Sequence, residues 1–170
     1  MQDPNFKGTV TYLCEHNEDG ALGVVVNRPT TLTMDTLFEQ IEVVVSDLAL
    51  SQRKVHFGGP VSVEHGFVLH RSHGSWNSSI SVSDELSLTT SKDILEAVAN
   101  GSGPREWLLT LGYAGWGAGQ LEEEMGRNSW INVEAEPEII FNTPVAQRYD
   151  KALSLLGIDA AMLSADAGHA

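Results

Sequence analysis

The sequence predicts an α+β (mixed α/β) fold, and three observations support this class. Short apolar segments rich in β-branched residues, such as 9–14 and 21–27, are typical of strands, whereas other segments repeat apolar residues at helical spacing. Strand-like and helix-like segments alternate irregularly, without an internal repeat or a linker. With 170 residues, of which 42% are hydrophobic, the chain is long enough to bury a core. We therefore expect a single domain over residues 1–170.

The first half of the chain predicts a hairpin, a helix and two further strands. Asp19-Gly20 supplies the positive φ angle of a hairpin turn, and Pro29 ends the second strand. A Gly-Gly-Pro turn, residues 58–60, accompanies the later strands. The predicted elements are strands 9–14 and 21–27, a short amphipathic helix over 33–41, and strands 54–61 and 65–71.

The second half predicts a buried central strand with helices before and after it. Thr90 and Asp93 resemble a capping box, and Gly101 stands where a left-handed C-cap is expected. Thr143-Pro144 is typical of a helix entry. The predicted elements are two short strands within 80–90, a helix ending at Gly101, strand 106–113, helix 119–128, strands 130–133 and 138–141, and a helix ending at Gly157.

The charge balance argues against direct contact with nucleic acid or an anionic membrane. Ten Lys and Arg residues against 23 Asp and Glu residues give a net charge of −13, and Arg53-Lys54 is the only adjacent cationic pair. Proteins that bind phosphate backbones concentrate positive charge instead. A single cysteine fits a reducing compartment, and no apolar run is long enough to span a membrane. The N-terminus also lacks a signal-peptide pattern, so we expect a cytoplasmic protein.

Cys14 is followed by Glu15, His16 and Asn17, which raises the question of a catalytic thiol. In an extended strand Cys14 and His16 share a face about 6.5 Å apart, too far for a nucleophile–base hydrogen bond unless the chain bends. Unpaired cysteines are often buried. The pattern favours a structural, inward-facing Cys14, with a reactive thiol as the alternative, and it predicts that the three following residues shape the turn.

The other candidate motifs do not predict a cofactor or a metal. The segment GYAGWGAGQ (112–120) is rich in glycine, but it lacks the third glycine of a dinucleotide-binding fingerprint. Glu122 and its two neighbours would also repel a phosphate at the following helix. The histidines at 56, 65, 70 and 73 do not follow a zinc-binding spacing. We expect no catalytic set, no cofactor and no metal.

Five residues form a candidate ligand-binding set because they end or follow apolar strands. Ligand sites of α/β proteins tend to gather at such strand ends. The set depends on strand direction, since antiparallel neighbours would separate these ends. Without a ligand, the same residues would serve as turn and core positions. The candidates are Asn27, Arg28, His70, Tyr113 and Trp116.

Five motifs in order make the chain resemble the YqgE/AlgH family. They are DPNF..TVTYLCEHN..GALGVVVNRP, GGPV....GFVLH, TTSKDIL, LGYAGWGAGQLE.E...N.W and the closing AGHA, which together run from Asp3 to Ala170. The resemblance implies a bifurcated β-sheet curled into a pseudo-barrel with flanking helices, in the bacterial cytosol. It also implies a family without an established biochemical activity, one branch of which is linked to transcriptional regulation of alginate production.

Two departures from the family pattern stand out. His65 occupies a position that is usually arginine, so any role of that arginine does not transfer to this chain. Family members also carry a short apolar segment before the Asp-Pro motif, whereas this sequence begins Met1-Gln2.

Two functions follow as hypotheses. The first is a non-enzymatic regulatory or adaptor module that binds a protein partner or a small ligand. The alternative is a small-molecule enzyme whose pocket is lined by the five candidate residues. The first is favoured because the sequence offers no nucleophile and base at suitable spacing.

Overall fold

The computed structural model describes residues 8–155, which form eight strands, six α-helices and one 3₁₀ turn. The strands are β1 (Thr11–Asn17), β2 (Gly20–Val25), β3 (Pro29–Thr33), β4 (Lys54–Phe57), β5 (Val61–Arg71), β6 (Ser79–Ser81), β7 (Leu86–Thr89) and β8 (Trp107–Gly117). The helices are α1 (Met34–Gln40), α2 (Leu48–Ser51), α3 (Lys92–Asn100), α4 (Gln120–Gly126), α5 (Pro137–Phe141) and α6 (Arg148–Ser154), with the 3₁₀ turn at Val145–Gln147.

Strand β8 is the point at which the sheet divides. Its first half pairs antiparallel with β5 and parallel with β4, whereas Ala114 to Gly117 pair antiparallel with β2. One branch continues from β2 to the edge strand β1, and the other continues from β4 to β3. On the opposite side, β5 leads to β7 and β6. The predicted bifurcated sheet is confirmed, and it curls into a half-barrel with helices around it.

Alternating side chains of the central strands divide the interior into two main clusters. Leu108 of β8 packs with Leu69 and Val24 in one cluster, which Ile140 of α5 also joins. Neighbouring residues of β8 face the other way and pack against the apolar faces of α1 and α3. This division follows from the two-residue period of a strand. A third, smaller cluster surrounds Trp116 and Trp130.

The helix α3 begins and ends close to its predicted limits. Ser91, rather than Thr90, is the N-cap residue, and its hydroxyl donates to the Asp93 carboxylate. Asp93 in turn accepts from the backbone N–H of Ile94. Gly101 closes the helix with a φ angle of 85°, so the predicted left-handed C-cap is confirmed.

Two predicted strands are wrong. Residues 130–136 adopt no regular structure, and 138–141 belong to the helix α5, which Pro137 begins. Pro137 presets a helical φ angle, and the apolar residues Ile139 and Ile140 bury against the sheet from the helix instead of joining its edge. The strand predicted over 106–113 is longer in the structure, because β8 continues from Tyr113 to Gly117 where β2 pairs with it.

The connection between β4 and β5 passes very close to β8. Gly59 has a φ angle of 154°, and a Cβ atom there would lie 2.1 Å from the carbonyl carbon of Tyr113. Only glycine fits such an approach. Gly59 therefore allows the backbone of the Gly-Gly-Pro segment to pack directly against the backbone of β8. The predicted helix end at Gly157 and the closing AGHA motif lie outside the described residues.

Candidate functional site

An apolar cleft of about 160 Å³ lies beside β1 and reaches into the interior. We call it the β1 cleft. It is lined by residues 10–13 along β1, by the irregular segment 130–136, and by side chains from α4, α5 and α6. Val26 and Ile140 at its inner end belong to the main core, so the cleft opens directly onto buried apolar side chains.

The free edge of β1 forms one wall of this cleft. Successive strand side chains point to opposite faces, so a cleft that contacts four consecutive residues runs along the strand edge. The N–H of Val26 donates to Val10 O and Tyr12 lies opposite Val24, which places Tyr12 in the hydrogen-bonded register. The backbone groups of Thr11 and Leu13 therefore point outward. Within residues 8–155, no backbone hydrogen bond joins these outward groups to a neighbour.

Two tryptophans fix the opposite wall. Trp116 and Trp130 meet edge to face with ring centroids 5.7 Å apart. Glu124 of α4 accepts a hydrogen bond from both indoles, at 3.3 Å from Trp116 and 2.9 Å from Trp130. Gln120 also donates to the Glu124 carboxylate, at 2.9 Å. These contacts tie the irregular segment to β8 and α4, so the wall has a defined position.

The helices α5 and α6 supply the floor. Ile139 and Ile140 come from α5, and Ala152 and Leu153 come from α6; all four are buried. Arg148, at the start of α6, is also buried, and its guanidinium donates to Thr143 O and Val26 O. The guanidinium thus bridges the start of α6 to the sheet, which holds the floor in place.

The rim of the cleft is acidic. Glu134 and Glu136 are its only charged lining residues in the part of the chain that the structure describes, and both are exposed. Leu13, also on the lining, is 39% exposed. The opening therefore combines an apolar strand edge with two carboxylates.

The structure does not bring the five sequence-predicted site residues together. Asn27 fixes the chain before β1, accepting from Val10 N at 2.8 Å and donating to Gly8 O at 3.1 Å. Arg28 accepts from Phe57 N through its carbonyl. His70 is buried on β5, where its ring contacts Thr89 Oγ1 and Arg71 O, each at 2.7 Å. These contacts are the turn and core chemistry that the sequence also allowed.

Strand direction explains this separation. Trp116 lies opposite Ala21 on β2, and Asn27 follows the end of β2, six residues beyond Ala21 and about 20 Å away if the chain continues extended. His70 lies opposite Trp107, nine residues and about 30 Å from Trp116 along β8. Both pairs of strands are antiparallel, and the strand ends therefore point apart.

Tyr113 and Trp116 are the two candidates that do share a surface. They line a shallow depression over the last residues of β8, beside the β1–β2 turn. Trp116 also lines the β1 cleft. Ligand binding by the five candidates stays a prediction.

The predicted burial of Cys14 is confirmed. Its side chain is 6% exposed, and desolvation raises the pKa of the thiol to about 12. His16 instead contacts the Glu122 carboxylate on α4. A thiol with this pKa stays protonated at neutral pH, which is unfavourable for a nucleophile.

His56 is a buried histidine that sequence reasoning did not single out. It is 6% exposed on β4, and neither ring nitrogen has a hydrogen-bond partner within residues 8–155. Burial, together with the positive charges of Arg148 and Arg53, lowers its pKa to about 4. The imidazole is therefore neutral at physiological pH.

Residues 8–155 hold neither a metal-ligand cluster nor a membrane-spanning helix. These residues contain no group of three His, Cys, Asp or Glu side chains placed to hold a metal. None of their helices has the length and apolar character needed to cross a bilayer.

Sequence reasoning missed the β1 cleft because its lining was assigned to strands. Ile131, Val133, Ile139 and Ile140 are β-branched and apolar, which is typical of strands. The proline at 137 was the available signal for a helix, and the edge position of β1 depends on pairing that the sequence does not reveal.

Comparisons with known proteins agree on one family. A family model described as AlgH-like matches residues 1–161. A UPF0301 protein of Ralstonia nicotianae is 59% identical over 170 residues, covering all of this chain and 90% of the relative. A UPF0301 protein of Burkholderia cenocepacia is 56% identical over 172 residues, with the same coverage.

Solved structures show the same fold. The solution structure of the AlgH protein from Pseudomonas aeruginosa aligns with a TM-score of 0.82 and 45% identity, covering all of this chain and 90% of that one. A crystal structure of a protein from Corynebacterium diphtheriae aligns with a TM-score of 0.61 at 20% identity, covering 81% of this chain and 72% of that one. The second match shows a shared fold only.

Proposed function

We propose that this chain, which belongs to the AlgH-like family, is a non-enzymatic regulatory or adaptor module that binds an apolar group of a partner in the β1 cleft. The observation that carries the proposal is the cleft itself, an unfilled apolar volume of about 160 Å³ that reaches the core. The names of the relatives state no activity, so the proposal depends on geometry.

The size of the cleft supports a binding role. An engineered cavity of about 150 Å³ in an apolar core is large enough to bind benzene. The β1 cleft has a similar volume. A ligand that enters it removes the apolar lining from water, which favours binding.

The chemistry of the lining supports binding rather than catalysis. Within residues 8–155 the lining has no histidine, cysteine, lysine or arginine. The carboxylates of Glu134 and Glu136 are exposed at the rim, where they are solvated. Such a surface suits the binding of an apolar group inside the cleft, with two carboxylates available at its rim.

The test reduces the volume of the cleft by placing a larger side chain on its floor. Ala152→Leu adds apolar volume at a buried lining position, whereas Lys151→Leu makes a similar addition at an exposed neighbouring position of α6. Indole, a small aromatic probe, is titrated against each protein by thermal shift and by ¹H–¹⁵N NMR.

We expect indole to stabilise the native chain and Lys151→Leu, and to shift the resonances of residues 10–13 and 130–136. Ala152→Leu should lose at least tenfold in affinity for the probe while keeping a native spectrum. The proposal is wrong if indole does not bind the native chain, or if it binds Ala152→Leu equally well.

A further inference from the structure

The β1 cleft joins three features that together define one kind of partner. Within residues 8–155, a strand edge with unpaired backbone groups, an apolar cavity and an acidic rim lie side by side. We propose that the cleft binds an extended peptide segment of a partner protein. The segment adds to β1 as a strand, places one aromatic or large aliphatic side chain in the cavity, and directs a Lys or Arg towards Glu134 and Glu136. This inference rests on the proposed function, because it names the occupant of the same cleft.

The strand edge supplies the first argument. The outward backbone groups of Thr11 and Leu13 are two residues apart, which is the repeat with which an added strand presents its own N–H and C=O groups. The pairing of β1 with β2 shifts register between Leu13 and Glu15. Such a bulge bends the strand and interrupts regular pairing. The peptide that pairs here is therefore short, along residues 10–13.

The cavity supplies the second argument. Its volume of about 160 Å³ corresponds to one six-membered ring or one large aliphatic group, not to several side chains. Alternate residues of an extended peptide point to opposite sides, so one side chain enters the cavity while its neighbours point away. In peptide recognition by strand addition, backbone hydrogen bonds commonly supply affinity and a side-chain pocket supplies specificity.

Charge supplies the third argument. Glu134 and Glu136 lie on the cleft lining, and the whole chain carries a net charge of −13. A cationic peptide is attracted to this face, and the attraction weakens with salt. A second copy of the chain is disfavoured as the occupant, because two copies paired through β1 would bring two acidic rims together.

The experiment begins with a library of labelled linear hexapeptides in which every position is varied. The native chain is screened at low salt, and the tightest binder is measured by fluorescence anisotropy. We expect the binders to share one aromatic or large aliphatic residue with Lys or Arg nearby, and to lack proline beside the apolar residue. The peptide should also slow hydrogen exchange of the Thr11 and Leu13 amides.

Three changes test the separate contacts, and two matched variants accompany them. N-methylation of the amide beside the apolar residue should weaken binding at least tenfold, because it removes a pairing donor. Leu13→Pro removes the outward N–H and should weaken binding at least tenfold more than Leu13→Ala, which truncates the same lining side chain but keeps that N–H. Glu134→Gln with Glu136→Gln should weaken binding about fivefold and reduce its salt dependence. The matched control is Glu18→Gln with Glu96→Gln, two exposed carboxylates away from the cleft.

The outcomes separate this inference from the proposed function. If indole binds the cleft but no peptide does, or if the peptide tolerates N-methylation, strand addition is wrong while apolar binding stands. If the chain self-associates and dilution restores exchange of the β1 amides, a second copy is the occupant and the inference is overturned. If neither indole nor any peptide binds, both proposals fail.

Discussion

Replacing His56 with leucine should make the protein less sensitive to acid. The imidazole is buried on β4 without a hydrogen-bond partner in the described part of the chain. Protonation would place a third positive charge near Arg53 and Arg148, which, together with burial, lowers the pKa to about 4. The backbone of Lys54 raises the His56 pKa and so opposes this shift, and the Lys54 charge lowers the pKa by a smaller amount. Leucine is similar in size and cannot take up a proton.

The magnitude follows from the two pKa values. The unfolded imidazole has a pKa of 6.5, and the folded one has a pKa of about 4. Because the folded pKa is depressed, the contribution to stability is complete above pH 6.5 and is lost as the pH falls towards 4. One proton taken up on unfolding lowers the free energy of unfolding by about 1.4 kcal/mol per pH unit. Proton uptake by His56 therefore lowers the free energy of unfolding by about 2 kcal/mol between pH 8 and pH 5.

The assay is urea unfolding of the native chain and the His56→Leu variant at pH 8, 7, 6 and 5. As the pH falls from 8 to 5, we expect the free energy of unfolding of the variant to rise by about 2 kcal/mol relative to that of the native chain. It should also gain about 1 kcal/mol at pH 8, because a buried polar group without a partner is removed. His65→Leu, the same substitution at an exposed histidine, is the matched control. Parallel curves for the native chain and His56→Leu would refute the reasoning.

Three further outcomes are expected. Cys14 should react slowly with a thiol reagent in the native protein and rapidly in denaturant, since its pKa is about 12 and it is buried; rapid native labelling would contradict this. Arg71→Ala should cost about 1–2 kcal/mol in urea unfolding, because the guanidinium contacts Glu85, Glu106 and Glu138 in a partly exposed network. Exposed Arg105→Ala is its control, and equal losses would show that the network is unimportant. Double-stranded DNA should not bind at low salt, given the net charge of −13, and sub-micromolar binding by fluorescence anisotropy would overturn that expectation.

The sequence by itself determined the elements whose local chemistry and burial agree. The hairpin of β1 and β2 follows from two apolar segments around Asp19-Gly20, and α3 follows from its apolar face and Gly101. Cys14 lies inward as strand alternation predicts. In these segments local propensity and tertiary packing favour the same conformation, so the pattern was sufficient.

Tertiary structure decided the elements whose partners are distant in the chain. β8 is longer than its apolar run because β2, almost a hundred residues earlier in the chain, pairs with its glycine-rich end. Ile139 and Ile140 have strand-forming side chains, yet they bury from a helix because Pro137 begins one and the sheet edge is not used there. Apolar β-branched residues are typical of buried positions in either conformation, so their pattern alone did not distinguish strand from helix, and Pro137 was the only local signal for the helix.

The candidate site was decided almost entirely in three dimensions. The five strand-end residues suggested a pocket, but antiparallel pairing carries Asn27 and His70 away from Trp116, and of the five only Trp116 lines the cleft. In the part of the chain that the structure describes, the cleft depends on a strand edge without a pairing partner and on an open volume between packed elements. Both are properties of how distant segments fit together, and neither leaves a periodic signal in the chain.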